Sequence, residues 1–246
     1  MNLKISGRTG LGLICIWALL MCAAASAQSL NSQSTAQSAA QTTAQAASEP
    51  LGLRAAAQTG FKTMVKELSA NMDAGTLLQD FGFAVQRLSD LQRAELGIAF
   101  EVHTVHPQTL LAGGKAFDQM LMKTGIWNFI VKVDGRPVAL LEMEKAGGKW
   151  IILGAGAANL AQDIHTASSA HAGGKAFRFV RVYQATADFM EVRDSQAQAR
   201  YVPLIAARQT LNMASPFGTD TALASGDDIL PNLQNQVRSH LAHFNK

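Results

Sequence analysis

Glu101 and His103 stand two residues apart in the stretch GIAFEVHTVH. Two such side chains on one strand face could work as acid and base. The same stretch supplies the plainer reading. Ile98, Phe100 and Val102 alternate with Ala99, Glu101 and His103, a period of two that marks a half-buried strand and puts the pair on its polar side. His103 and His106 are three apart, which on a strand sends them to opposite faces, so they do not share a metal. His240 and His243 have the same spacing in HLAHFNK, on an expected helix, where it brings them to one face as half a zinc site. A solvated helix end, with basic side chains suited to the dipole, accounts for them better. No metal is expected.

A second candidate is GAGAAN at 154–159, which follows an expected strand and opens an expected helix. That is the outline of a dinucleotide fingerprint, but Asn159 takes the place of the third glycine and the strand before it belongs to a hairpin meander. What survives is an anion held by amides near Gly156 and Asn159. Arg178, Arg181, Arg193, Arg200 and Arg208 fall near Asp188, Glu191 and Asp194. Alternating charge of this kind describes a solvated sheet face first and an anion site second.

The sequence AGGK recurs at 112–115, 146–149 and 172–175. A phosphate loop needs a glycine five residues before the last glycine and a hydroxyl after the lysine. Thr109, Met143 and Ser169 occupy the first place, and Ala116, Trp150 and Ala176 the second. The three copies also lie in three different settings, so they read as one turn chemistry used three times. The chain lacks G-x-S-x-G, H-E-x-x-H and S-x-x-K. No cofactor pattern stands out, and no cofactor is expected.

The compartment narrows the chemistry further. Lys4 and Arg8 precede an uncharged apolar run from Leu11 to Met21, and Ala25-Ser26-Ala27 fits a signal-peptidase site. Residues 1–27 therefore read as a secretory signal, too short in its apolar part to span a bilayer. A lipoprotein signal ending at Cys22 is disfavoured by Met21 before it. Both cysteines, Cys15 and Cys22, lie in the signal, so the mature chain is expected to hold neither a disulfide nor a thiolate nucleophile. The precursor has 21 basic and 18 acidic residues; without Lys4 and Arg8 it has 19 and 18, a net of +1. So small a charge argues against a nucleic-acid binder and against a polybasic membrane surface. Residues 28–50 are almost all Gln, Ser, Ala and Thr, too poor in apolar side chains to offset the entropy of ordering, and read as a disordered leader.

The elements that must position the candidates occupy 51–246, expected to form one α+β domain. Phe61, Met64, Val65, Leu68 and Met72 make one helical stripe. A second helix is expected over 76–95, with Leu77, Leu78, Phe81, Val85, Leu88 and Leu91 inward, a break near Ser89 and Gly97 as its stop. A short helix is expected at 117–123. Asp134-Gly135 between two β runs is the strongest hairpin signal in the chain, opening a three-strand meander over about 126–153. A central helix with Leu160 and Ile164 inward follows, then strands at 177–183 and 188–192. The run 201–213 is ambiguous between strand and helix, 215–231 reads as loop, and Pro231 is expected in the first turn of a last helix. Trp127, Trp150, Phe179 and Tyr183 read as packing. The expected fold class is thus α+β, an antiparallel hairpin-rich sheet with N-terminal helices, one central helix and a C-terminal helix packed on it.

The expected function is that of an exported bacterial protein, periplasmic or secreted. It would be a non-enzymatic binding or accessory protein for a small-molecule ligand or protein partner, with no nucleic acid and no transmembrane anchor after cleavage. Two alternatives stand beside it: an envelope hydrolase-like enzyme using Glu101, His103 or Asp188, and a structural subunit of a surface assembly.

Overall fold

A computed structural model describes residues 49–71, 78–173, 176–213 and 222–244. The expected signal, the expected leader up to residue 48, Met72, Leu77, the end of the third AGGK copy and residues 214–221 of the expected loop lie outside the described residues.

Helix α1 (Leu53–Asn71) buries Leu53, Ala57, Phe61 and Val65, one residue per turn, as its stripe requires. The segment after it departs from the expected second helix. A 3₁₀ turn over Leu78–Phe81 ends at Gly82, and only a short helix α2 (Leu88–Leu91) follows. Gly82 has φ +79° and lies so close to the sheet that a Cβ there would meet the Ala157 nitrogen at 2.9 Å. The Ala84 amide then donates to the Val138 carbonyl at 2.8 Å. Close contact with the sheet therefore replaces helix, even though Leu78, Val85 and Leu91 are buried as expected. Phe81 ends up 48% exposed instead of inward.

Strand β1 (Glu95–Val105) starts before Gly97, so that glycine stops no helix; it sits at a register shift, where a Cβ would press on the Ile130 carbonyl at 3.1 Å. Helix α3 (Pro107–Ala112) and a 3₁₀ turn at Phe117–Gln119 lead into β2 (Leu121–Val133). The helix expected at 117–123 gives way because Leu121, Met122 and Lys123 pair with Val105, Thr104 and His103 of β1. Strands β3 (Arg136–Ala146) and β4 (Lys149–Gly156) complete the meander. Asp134 at φ +50° and Gly135 at φ +78° make the tight turn the sequence announces.

Helix α4 (Ala158–Ala167), with a π turn over Ser168–Ala172, crosses the sheet before β5 (Arg178–Val182), β6 (Ala187–Arg193) and β7 (Ala199–Pro203). The run at 201–213 is both things in turn, the end of β7 and then helix α5 (Ile205–Thr210). A two-residue β8 (Ala224–Ser225) precedes α6 (Gly226–Phe244). Pro231 thus lies inside α6 and not in its first turn. The helix starts earlier because Ser225 and Asp228 cap it reciprocally: the Asp228 carboxylate accepts the Ser225 amide at 2.9 Å, and the Ser225 hydroxyl accepts the Asp228 amide at 3.2 Å.

The fold is α+β. Among the described residues eight strands run β4-β3-β2-β1-β5-β6-β7-β8, antiparallel at every neighbour except β1 and β5, which are parallel. The exception follows from α4: a helix crossover returns the chain to the same end of the sheet, where a hairpin would reverse it. Phe179 and Val180 are adjacent on β5 and so point to opposite faces. Phe179 packs with Ala161 and Ile164 of α4, and Val180 with Ile229, Leu233 and Val237 of α6. One face is therefore covered at its centre by α4. The other is covered by α1 over β2–β4 and by α6 over β5–β7. Among the described residues no helix is long and apolar enough to cross a membrane.

Candidate functional site

The sheet separates the candidate residues into two groups, one on each face. On the face under α1 and α6, a polar row crosses four neighbouring strands: Glu101 and His103 on β1, Arg178 on β5, Glu191 on β6 and Tyr201 on β7. Glu101 and His103 do not form an acid–base pair. The His103 Nδ1 donates to the Glu101 backbone carbonyl at 3.2 Å, while the Glu101 carboxylate binds Lys123 at 2.8 Å. Burial pushes the His103 imidazole below its ordinary pKa; the Arg178 and Lys123 charges add to this and the Glu101 contacts oppose it.

Glu191 is 2% exposed. Arg178 Nη2 donates to its Oε1 at 2.5 Å and lies as near Oε2, but without hydrogen-bond alignment, so Oε2 has no bonding partner. Arg193 Nη2 approaches Oε1 at 3.1 Å and also reaches Asp118. The Tyr201 hydroxyl, paired across from Glu191, is likewise buried without a partner. Burial, and then the Glu191 charge, push it well above the usual phenol range. Phe117 packs on the Tyr201 ring and α6 begins over it at Gly226. The row is closed to a ligand at this end.

The face under α4 is different. At the start of α4 a cleft of about 270 Å³ is lined by Asn128, Leu140, Glu142, Gly154, Ala155, Gly156, Ala157, Leu160 and Arg181. It collects two of the residues singled out in sequence, Gly156 and Arg181. Arg181 reaches across β1 to line the same space as Asn128 of β2. Its Nε and Nη2 donate to the two Asp188 carboxylate oxygens at 2.8 and 2.9 Å. That bidentate pair leaves Nη1 outside it. Glu142 has no ion-pair partner among the described residues, though its charge bears on Arg181 and on the Tyr183 hydroxyl, whose pKa is raised by burial first. Asn128 is 3% exposed, and its side-chain amide bonds to no described residue. The amide faces the cleft and its solvent, where a ligand could bond to it in place of water.

Gly156 and Gly82 interlock behind the cleft. A Cβ on Gly156, at φ +148°, would meet the Phe81 carbonyl at 2.7 Å. The Ala158 amide at the start of α4 donates to the Gly82 carbonyl at 2.9 Å. Asn159 is exposed on the first turn of α4 and is not among the cleft walls. Tyr183, read as packing, is 49% exposed, on the same face as Arg181, while Trp127 and Phe179 are buried as expected.

His240 bonds to Gln236 and His243 to the Ser239 carbonyl, each on its own. Among the described residues no group of three His, Cys, Asp or Glu could hold a metal ion. Sequence reasoning missed Asn128 and Glu142. The signal for the first was a lone carboxamide inside the apolar run IWNFIV. The chain matches no family model, no curated protein and no solved structure.

Proposed function

We propose that the mature chain is an exported protein, periplasmic or secreted, that binds a small ligand in the cleft at the start of α4 and performs no chemistry on it. The export part of this reading rests on the basic, apolar and small-residue pattern of residues 1–27. The binding part rests above all on the cleft itself, where the Asn128 amide lines open space and bonds to no described residue. The placement of His103 supports binding over catalysis, because this imidazole lies across the sheet from the cleft and the Glu101 carboxylate two residues before it is tied to Lys123.

Gly154 offers a direct test. It lines the cleft, and an added Cβ would meet nothing within 4 Å. Gly154→Phe should fill the cleft without disturbing the strand. A thermal-shift screen of small molecules is expected to find compounds that raise the Tm of the mature protein and lose that effect in Gly154→Phe. Compounds that stabilise both proteins equally would place binding elsewhere, and a screen without hits would remove the reading. N-terminal sequencing of the exported protein is expected to start at Gln28.

The reading as a subunit of an assembly draws on one observation. The edge strand β4 exposes Ile151 at 43% and Leu153 at 46%. Sedimentation of the mature protein over a wide concentration range separates the two: a monomer throughout sets the assembly reading aside.

A further inference from the structure

The cleft's own charges say which ligand it suits. Arg181 and Asp188 neutralise each other through a bidentate pair, so the guanidinium offers little net charge to an incoming anion. The Glu142 carboxylate has no ion-pair partner among the described residues, and Glu144 follows it two residues along the same strand, on the same face. The N-terminus of α4 opposes this with roughly half a positive charge. Its first amide, Ala158, is already used by the Gly82 carbonyl, which reduces what it can give to a ligand. A whole charge outweighs a partial one at similar range. The Asn128 carboxamide can present its oxygen as a further acceptor. Leu140 and Leu160 supply apolar wall. At about 270 Å³ the space lies just below the usual range for ligand sites, so the occupant is small.

We infer that the cleft binds a small protonated amine with a short aliphatic stem, its ammonium held by Glu142 and Asn128 and its stem against Leu140 and Leu160. This rests on the binding reading above and names its ligand class. It also changes the sense of the Gly156 neighbourhood, from an anion site to one wall of a cation site.

The probes are three molecules of one shape: n-hexylamine, hexanoate and n-hexanol. Each is titrated into the isotopically labelled mature protein, following the backbone amide signals of Gly154, Gly156 and Ala157. Hexylamine is expected to move these signals at least tenfold more tightly than either isostere. Glu142→Gln, nearly the same size, is expected to weaken the amine at least tenfold with an unchanged Tm, and Asn128→Leu to weaken it less. Hexanoate binding as well as the amine, or an unaltered amine affinity in Glu142→Gln, would overturn the inference. If no probe binds while a screened compound still depends on an open Gly154, the amine class is wrong and the binding reading stands. If nothing binds at all, both fall.

Discussion

Hairpin β5–β6 carries two arginine–carboxylate pairs of the same chemistry, and the sheet sends them to opposite faces. Arg178–Glu191 lies under the α6 side, with Arg193, Asp118 and Tyr201 gathered around it. Arg181–Asp188, set three residues along β5 and three register positions on, opens onto the cleft. The pairs are nearly alike as local sequence. What distinguishes them is the cover. A helix start and two aromatic rings close the first, whereas α4 leaves the second uncovered where its own first turn begins. A charged pair on a sheet is thus a structural or a ligand-facing feature according to what packs over it, and not according to its residue types.

The largest effect should come from the closed pair. Glu191→Ala would leave Arg178 and Arg193 facing an emptied, buried position, a loss of about 3 kcal/mol. Urea denaturation of the protein measures it, and a loss near zero would mean that the row is wet. Asp188→Ala tests the other side of the comparison. The two arginines are equally exposed, but the Asp188 side chain is 10% exposed against 2% for Glu191, and Arg181 has the Glu142 charge in reach, so the cost should be smaller, about 1 kcal/mol. Equal losses in the two variants would erase the distinction between the faces. Tyr201→Phe sharpens it. The Tyr201 hydroxyl is buried without a partner, and removing it should raise stability by about 1 kcal/mol. A fall in stability would show that a bound water satisfies that hydroxyl.

How much of this was readable in advance depends on range. Turn chemistry is local, and it was legible. Asp134-Gly135 adopts the left-handed pair its hairpin needs. The AGGK copies place Gly113 and Gly114 after a helix, Gly147 and Gly148 in a hairpin and Gly173 after a π turn, each at positive φ. That is one backbone freedom in three settings. The strand runs of β1, β3 to β6 and most of β2 were legible for the same reason, whereas the run holding the end of β7 was ambiguous between strand and helix. The expected helix at 76–95 was not, because its apolar spacing is helical and only the close approach of Gly82 to Ala157 forbids it. The same holds for Leu121–Lys123, whose strand state is imposed by β1. Pro231 was misplaced although Ser225 and Asp228 display a capping box in plain sequence. The cleft needs β2, β3, β4, α4 and β5 together, and nothing local announces that Asn128, Glu142 and Arg181 will meet. Gly156 and Arg181 were picked out as members of an anion site; Glu142 between them reverses the sign.

The smallest effect concerns His103, and it returns to the closed face. Burial holds its folded-state pKa below the ordinary histidine value, with Arg178 and Lys123 working in the same direction. The unfolded chain therefore takes up this proton first as pH falls. Stability is intact above the ordinary histidine pKa of about 6.5 and declines as pH drops from there toward the folded-state value. His165 on α4 adds a slope of the same sign, since burial and then the Lys132 charge lower its pKa too. Urea midpoints measured from pH 7.5 down to 5 should fall for the parent protein and fall less steeply for His103→Gln. His165→Gln should flatten the profile as well. Because His103 is the more buried of the two, its variant should flatten the profile more. The reverse order would mean that the polar row under α1 and α6 admits water at β1, and that the contrast between a closed face and an open one holds only at the Glu191 end.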